Sequence, residues 1–205
     1  IKETVEYLVA NNRKVIYDAE HFFDAWFANP EYTMKTLKAA VEGGASVLAL
    51  CDTKGGTMPM EILKSVTAVT SEFSGVKTPQ GIPVEIGIHT HNDAGLAVAN
   101  SLMAVEAGAS HIQGTLLGFG ERTGNANLSS IISNLELKMN VKCLPEDKLK
   151  LLTSVCKQVA EVSNIPLENG MPYVGSNAFA HKAGMHIDAV TKNPVAYEHV
   201  SPESV

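Results

Sequence analysis

Val84-Glu85-Ile86-Gly87-Ile88-His89-Thr90-His91-Asn92-Asp93 is an apolar run that ends in polar, chemically capable residues. Strand alternation puts Val84, Ile86 and Ile88 on one face and Glu85, Gly87, His89 and His91 on the other. A helical run over 95–107 follows, with Asp93 as its expected cap. A strand that feeds a helix in this way is one unit of an α/β fold. Two imidazoles on one face, at a strand's C-terminal end, suit a single metal ion. The same spacing suits two pocket histidines that hydrogen-bond their neighbours.

The pattern recurs on both sides of this stretch. Val15-Ile16-Tyr17 leads into Asp18-Ala19-Glu20-His21 and an aromatic loop over 22–27, then a helix from Thr33 to the Gly43-Gly44 stop. Val47-Leu48-Ala49-Leu50 leads into Cys51-Asp52-Thr53-Lys54-Gly55-Gly56, then a helix from Pro59 to Phe73. A fourth strand over 111–116 leads into Gly118-Phe119-Gly120-Glu121-Arg122-Thr123-Gly124-Asn125, then a helix over 127–139. Strand starts near 15, 47, 84 and 111 match the length of βαβ crossovers, roughly 30 residues. The fold class is therefore parallel α/β. Four units make half of an eight-unit barrel, or a four-unit open sheet, and in both the active site lies beyond the strands' C-terminal ends.

The expected domains are 1–140 for the half barrel, 141–163 for a helix after it, and 164–205 for a linker and the start of a C-terminal subdomain. The helix after the barrel carries Leu149, Leu152, Val155, Val159 and Val162 on one stripe, and a further helix is expected over 178–191.

Bulk properties exclude several function classes. With 205 residues, 45% hydrophobic content and a mean hydropathy of +0.04, the chain has material for a packed core. A net charge of −6 and no basic run argue against nucleic-acid binding. No apolar run approaches the ~20 residues of a membrane span, and no signal peptide is visible. Three irregularly spaced cysteines fit a reducing cytoplasm. The chain begins at Ile1 inside an amphipathic pattern, which predicts a fragment of a longer protein.

Site candidates follow from position. Asn125 ends the Gly-rich loop after the fourth strand and can bring an amide oxygen to the rim that holds His89 and His91. Such a mixed N/O set suits Zn²⁺, Mn²⁺ or Mg²⁺ but lacks a carboxylate ligand. The Gly-rich loop is one residue too long for a dinucleotide fingerprint. Glu20, beyond the first strand on the face of Asp18, is a candidate acid/base, or a solvated loop carboxylate. Thr53 offers a hydroxyl to an anionic substrate group, or is a turn residue. Cys51 lacks an activating pattern and reads as a buried thiol. His181, His186 and Tyr197 can titrate or donate a proton, or fill surface roles.

With these motifs in place, the chain resembles the acyl-CoA/2-oxo-acid condensing synthases of the metal-dependent TIM-barrel lyase superfamily, which include 2-isopropylmalate, homocitrate and citramalate synthases. The resemblance is carried by His89-Thr90-His91-Asn92-Asp93, by Gly118 to Asn125 with Ala126-Asn127-Leu128, and by Leu50-Cys51-Asp52-Thr53. Tyr17 to Asp24, Tyr173-Val174-Gly175, Ala178 to Lys182 and Lys192-Asn193-Pro194 are most similar to the long-form citramalate synthases. The resemblance implies a metal-dependent Claisen condensation of acetyl-CoA with a 2-oxo acid, pyruvate first and 2-oxoisovalerate second. It implies His89, His91 and Asn125 as metal ligands, Thr53 and Asp18 as substrate contacts, and Glu20, His186 and Tyr197 as catalytic groups. It also implies a homodimer with shared sites. The family's first-strand motif, with its Asp metal ligand and Arg, is absent, so the chain is expected to hold strands five to eight of the (β/α)8 barrel and a helical extension. On that view the fragment alone is inactive. Related lyases, and a non-catalytic effector-binding or assembly fragment, are the other functional readings.

Overall fold

The computed structural model describes all 205 residues, which form two compact units, Ile1–Ala126 and Asn127–Val205. The first contains α1 (Lys2–Ala10), β1 (Ile16–Ala19), α2 (Phe22–Ala28), α3 (Pro30–Gly43), β2 (Val47–Asp52), α4 (Pro59–Glu72), β3 (Glu85–Thr90), α5 (Ala97–Glu106) and β4 (His111–Gln113). All four strands are parallel, in the order β1-β2-β3-β4. Each strand lies beside its neighbour in sequence, with no reversal. A doubly wound sheet reverses its order at a switch point, whereas a barrel does not.

The two faces of the sheet differ. Leu48, Leu50, Ile86 and Ile88 are buried in one cluster with Leu37, Ala40 and Val41 of α3, Ile62, Val66 and Val69 of α4, and Ala104 of α5. The helices thus cover that face. The other face carries two lateral rows set by the register, Asp18-Ala49-Gly87-His111 and Cys51-His89-Gln113. Gln113 Nε2 on β4 donates to Asp18 Oδ1 on β1 at 2.8 Å. In a flat sheet these two edge strands would be roughly 14 Å apart, beyond the reach of one Gln and one Asp. The sheet is therefore curled around this face, as in part of a barrel. Small residues permit the curl: a Cβ on Gly87 would lie 2.9 Å from His111 Cδ2 and 3.3 Å from Ala49 Cα.

Several local expectations are corrected. The aromatic stretch at 22–27 is a helix rather than a loop, because packing wins: Phe22 and Phe23 are buried edge to face at 5.0 Å, and Trp26 stacks on Phe22. α3 starts at Pro30 rather than Thr33, since Asn29 Oδ1 accepts from Tyr32 N at 3.0 Å and so caps it. Asp93 does not cap α5; Asn92 Oδ1 accepts from Ala97 N at 3.2 Å instead. β4 is only three residues, because the chain turns into a 3₁₀ segment with Leu117 in the left-handed region.

The second unit holds α6 (Leu128–Leu137), α7 (Leu152–Ser163) and α8 (Gly184–Lys192). Asn127 Oδ1 caps α6 by accepting from Ser129 N. α7 buries Leu152, Cys156 and Ala160, an i, i+4, i+8 seam. The expected valine stripe is displaced, with Val162 89% exposed. α8 begins later than 178, after a run of turns. No helix is long and apolar enough to cross a membrane.

Candidate active site

Parallel strands place all their C-terminal ends on one edge of the sheet. His89 is in the last turn of pleat on β3, and His91 follows the strand in an isolated antiparallel bridge with Asn125. The two rings lie 5.2 Å apart between centroids. Asn125 Nδ2 donates to Phe119 O at 3.1 Å, which turns Oδ1 away from that carbonyl. Asn125 Oδ1 and His91 Nδ1 are buried and have no hydrogen-bond partner. Buried polar atoms are seldom left so. An imidazole nitrogen and an amide oxygen, both orphaned on the rim that carries a second imidazole, fit a divalent cation. No three His, Cys, Asp or Glu side chains converge as a metal site, so these residues supply an incomplete shell.

His89 is held from the neighbouring strand. Its Nδ1 lies 2.7 Å from Gln113 Oε1, the register partner on β4. Gln113 in turn donates to Asp18. His111 Nε2, one row below, is a further buried orphan. The sequence signal for Gln113 was its place two residues after His111, on the face shared with His89.

Arg122 is the other residue that the sequence reading passed over. It sits in the Gly-rich loop in the left-handed region, φ 56°. Its Nε and Nη2 donate to Asp93 Oδ1 and Oδ2 at 2.8 and 2.9 Å, a bidentate pair, and Nη2 also donates to Thr53 O at 2.7 Å. One guanidinium so ties together the loops that follow β2, β3 and β4. Its hydrogen bonds hold the Asp93 carboxyl below the usual carboxylate range. The backbone continues the same tie: Asn92 N donates to Gly124 O and Ala94 N to Gly55 O.

The remaining first-unit candidates share this rim. Thr53 Oγ1 accepts from His21 N at 2.8 Å, so its own proton is left for another acceptor. Glu20 lies just beyond β1, exposed, its N–H bonded to Asp18 O. Its charge is felt by both Cys51 and Arg122. Burial, with the charges of Asp18 and Glu20, pushes the Cys51 thiol up to about 12, which makes it a poor nucleophile.

In the second unit His181, His186 and Tyr197 form a cluster of their own. His186 stacks on Tyr197 at 4.2 Å, His181 lies 6.1 Å from Tyr197, and His181 Nε2 is a buried orphan.

Residues 1–159 match the family model described as HMGL-like, and residues 173–205 match one described as homocitrate synthase post-HMGL domain-like. An (R)-citramalate synthase of Aquifex aeolicus is 53% identical over all of this chain and 37% of its own length. A 2-isopropylmalate synthase of Sulfolobus acidocaldarius is 35% identical over all of this chain and 50% of its own length. The crystal structure of the Bacillus subtilis HMG-CoA lyase is similar with a TM-score of 0.55 at 29% identity, over 67% of this chain and 44% of that one. The chain thus spans half or less of the length of these relatives.

Proposed function

Because the chain belongs to the HMGL-like family, we propose that it is part of a synthase that condenses acetyl-CoA with pyruvate to give citramalate. The observation that carries the choice of oxo acid is the identity to a citramalate synthase, 53%, against 35% to a 2-isopropylmalate synthase over the same residues. 2-Oxoisovalerate is the second choice of oxo acid.

On this reading the four units are strands five to eight of a (β/α)8 barrel, spanning 1–140. The helix expected over 141–163 is confined to α7, Leu152–Ser163, after a 3₁₀ turn at Leu149–Leu151, and the start of a C-terminal subdomain over 164–205 follows. His89, His91 and Asn125 hold a divalent cation, Zn²⁺, Mn²⁺ or Mg²⁺, with the carboxylate ligand in the other half of the barrel. The orphaned His91 Nδ1 and Asn125 Oδ1 support that assignment. The cation, when bound, supplies Lewis acidity to the oxo acid's carbonyl.

The chain's own residues do the rest. Thr53 Oγ1 donates its free proton to the oxo acid's carboxylate, which the hydrogen bond from His21 N supports. Asp18, with only Oδ1 engaged by Gln113, faces the substrate with its second oxygen. Glu20 is the acid/base carboxylate at the strand end, and His186 with Tyr197 Oη moves protons as the acetyl methyl is deprotonated and the thioester is hydrolysed. The last two act across a homodimer, each pair serving the neighbouring barrel, and the enzyme works in the cytoplasm. The Arg122 tie orders the three loops that carry Thr53, His91 and Asn125, which supports one preorganised rim.

Thiol release from acetyl-CoA by the full-length gene product tests this, with pyruvate beside 2-oxoisovalerate and each divalent metal in turn. Faster release with pyruvate is expected. Release only with 2-oxoisovalerate would move the reading to the second substrate, and none with any oxo acid would leave a non-catalytic binding fragment.

A further inference from the structure

We infer that Gln113 is a positioning residue that fixes both the tautomer and the aim of His89, and that Asp18 fixes Gln113 in turn. The inference rests on reading His89 as a metal ligand, but the orientation it describes belongs to the protein alone. A carboxylate offers acceptors only. Gln113 must therefore turn its amide nitrogen to Asp18, at 2.8 Å, and its oxygen to His89, at 2.7 Å from Nδ1. The reversed amide would set oxygen against carboxylate. With Oε1 fixed beside it, Nδ1 of His89 carries the ring proton, and the lone pair is left on Nε2.

The arrangement is built by the fold rather than by one flexible contact. Gln113 is the lateral register partner of His89, so its side chain starts one strand away on the same face. Asp18 lies on the opposite edge strand and is reached only because the sheet curls. The relay thus reads sheet curvature into the orientation of one imidazole. His91 has no equivalent, its Nδ1 being unpartnered. Outer hydrogen bonds of this kind orient ligating histidines and raise their basicity, and their loss costs roughly 10–100-fold in metal affinity.

The test has two readouts on the full-length protein. Long-range ¹H–¹⁵N NMR, with the ring neutral and no metal present, reports the His89 tautomer. Manganese titration reports affinity. The expected results are an Nδ1–H tautomer in the wild type and a shift toward Nε2–H in Gln113→Leu. Gln113→Leu is expected to bind manganese about 10–100-fold more weakly. A wild-type Nε2–H tautomer overturns the inference without any variant, as does a Gln113→Leu protein with unchanged tautomer and affinity. If the tautomer moves but the wild type binds no metal, the positioning role stands and the metal reading falls.

Discussion

Two adjacent glycines separate a site-building position from a spacer. Gly55 has φ +63°, and a Cβ there would lie 2.6 Å from Asp93 Oδ2, 2.8 Å from Asp93 N and 2.8 Å from the carbonyl carbon of His91. Two of those atoms are backbone and cannot swing aside. Gly55→Ala therefore adds a left-handed penalty of about 1–2 kcal/mol to an overpacking cost of about 1–3 kcal/mol. A total of about 3 kcal/mol corresponds to roughly 6–12 °C in Tm for a chain of this size. Gly56 has nothing within 4 Å of its Cβ position and no left-handed backbone, so Gly56→Ala should be nearly neutral. Trp26 is the only tryptophan and belongs to the first unit, so its fluorescence in urea follows this unit by itself. The same strain presses on the segment that carries His91, and metal affinity should fall with stability. If Gly55→Ala unfolds within about 0.5 kcal/mol of the wild type, the typical range of an unremarkable surface change, the packing argument for this rim is wrong.

Other consequences are open to direct measurement. Tyr197→Phe should lower turnover of the full-length enzyme while leaving the circular dichroism spectrum and Tm unchanged; equal rates would remove Tyr197 from the mechanism. The Asp93 carboxyl is lowered by Arg122, so the unfolded chain holds this proton more tightly than the folded one. The clamp should then be fully present above about pH 4–5 and lost as pH falls through the depressed value. A ¹³C titration of the Asp93 side-chain carboxyl with a midpoint below that of a free Asp, about 3.9, would agree, and a midpoint at or above it would not. Iodoacetamide at pH 7.5 should modify exposed Cys143 slowly and spare buried Cys51 and Cys156, since burial raises all three thiols; mass spectrometry that finds Cys51 alkylated first would contradict its inert placement.

The order of strands and helices was legible because the core alternates faithfully. Leu48, Leu50, Ile86 and Ile88 all fall on the helix-covered face that their parity assigns. Periodicity failed where packing overrode propensity. Phe22, Phe23 and Trp26 read as a loop because they follow a polar turn, yet their mutual stacking makes a short helix. The stripe expected from Leu149, Leu152, Val155, Val159 and Val162 gave way on α7 to a buried seam of Leu152, Cys156 and Ala160.

The rim was legible in its candidate residues and not in their supports. His89, His91 and Asn125 were visible because imidazoles and an amide at strand ends are unusual residues in that position. Arg122 and Gln113 act through register and curvature, which link positions 29 and 24 residues away, Asp93 and His89 respectively. Asp93 in particular satisfies the pattern of a helix cap. Only the fold reveals that Asn92 Oδ1, not Asp93, accepts from the first N–H of α5 and that Asp93 is engaged by the guanidinium.

The proposed chemistry depends on the cation site. Manganese binding to the full-length protein, followed by electron paramagnetic resonance in the wild type and in His89→Ala, His91→Ala and Asn125→Ala, tests it most directly. One bound ion per chain is predicted. Either histidine variant should bind at least about 100-fold more weakly, since a ligand replacement should cost no less than the upper end of an outer-shell loss, and metal-dependent turnover should vanish. Equal manganese affinity in the wild type and both histidine variants would contradict the site, and with it the proposed chemistry.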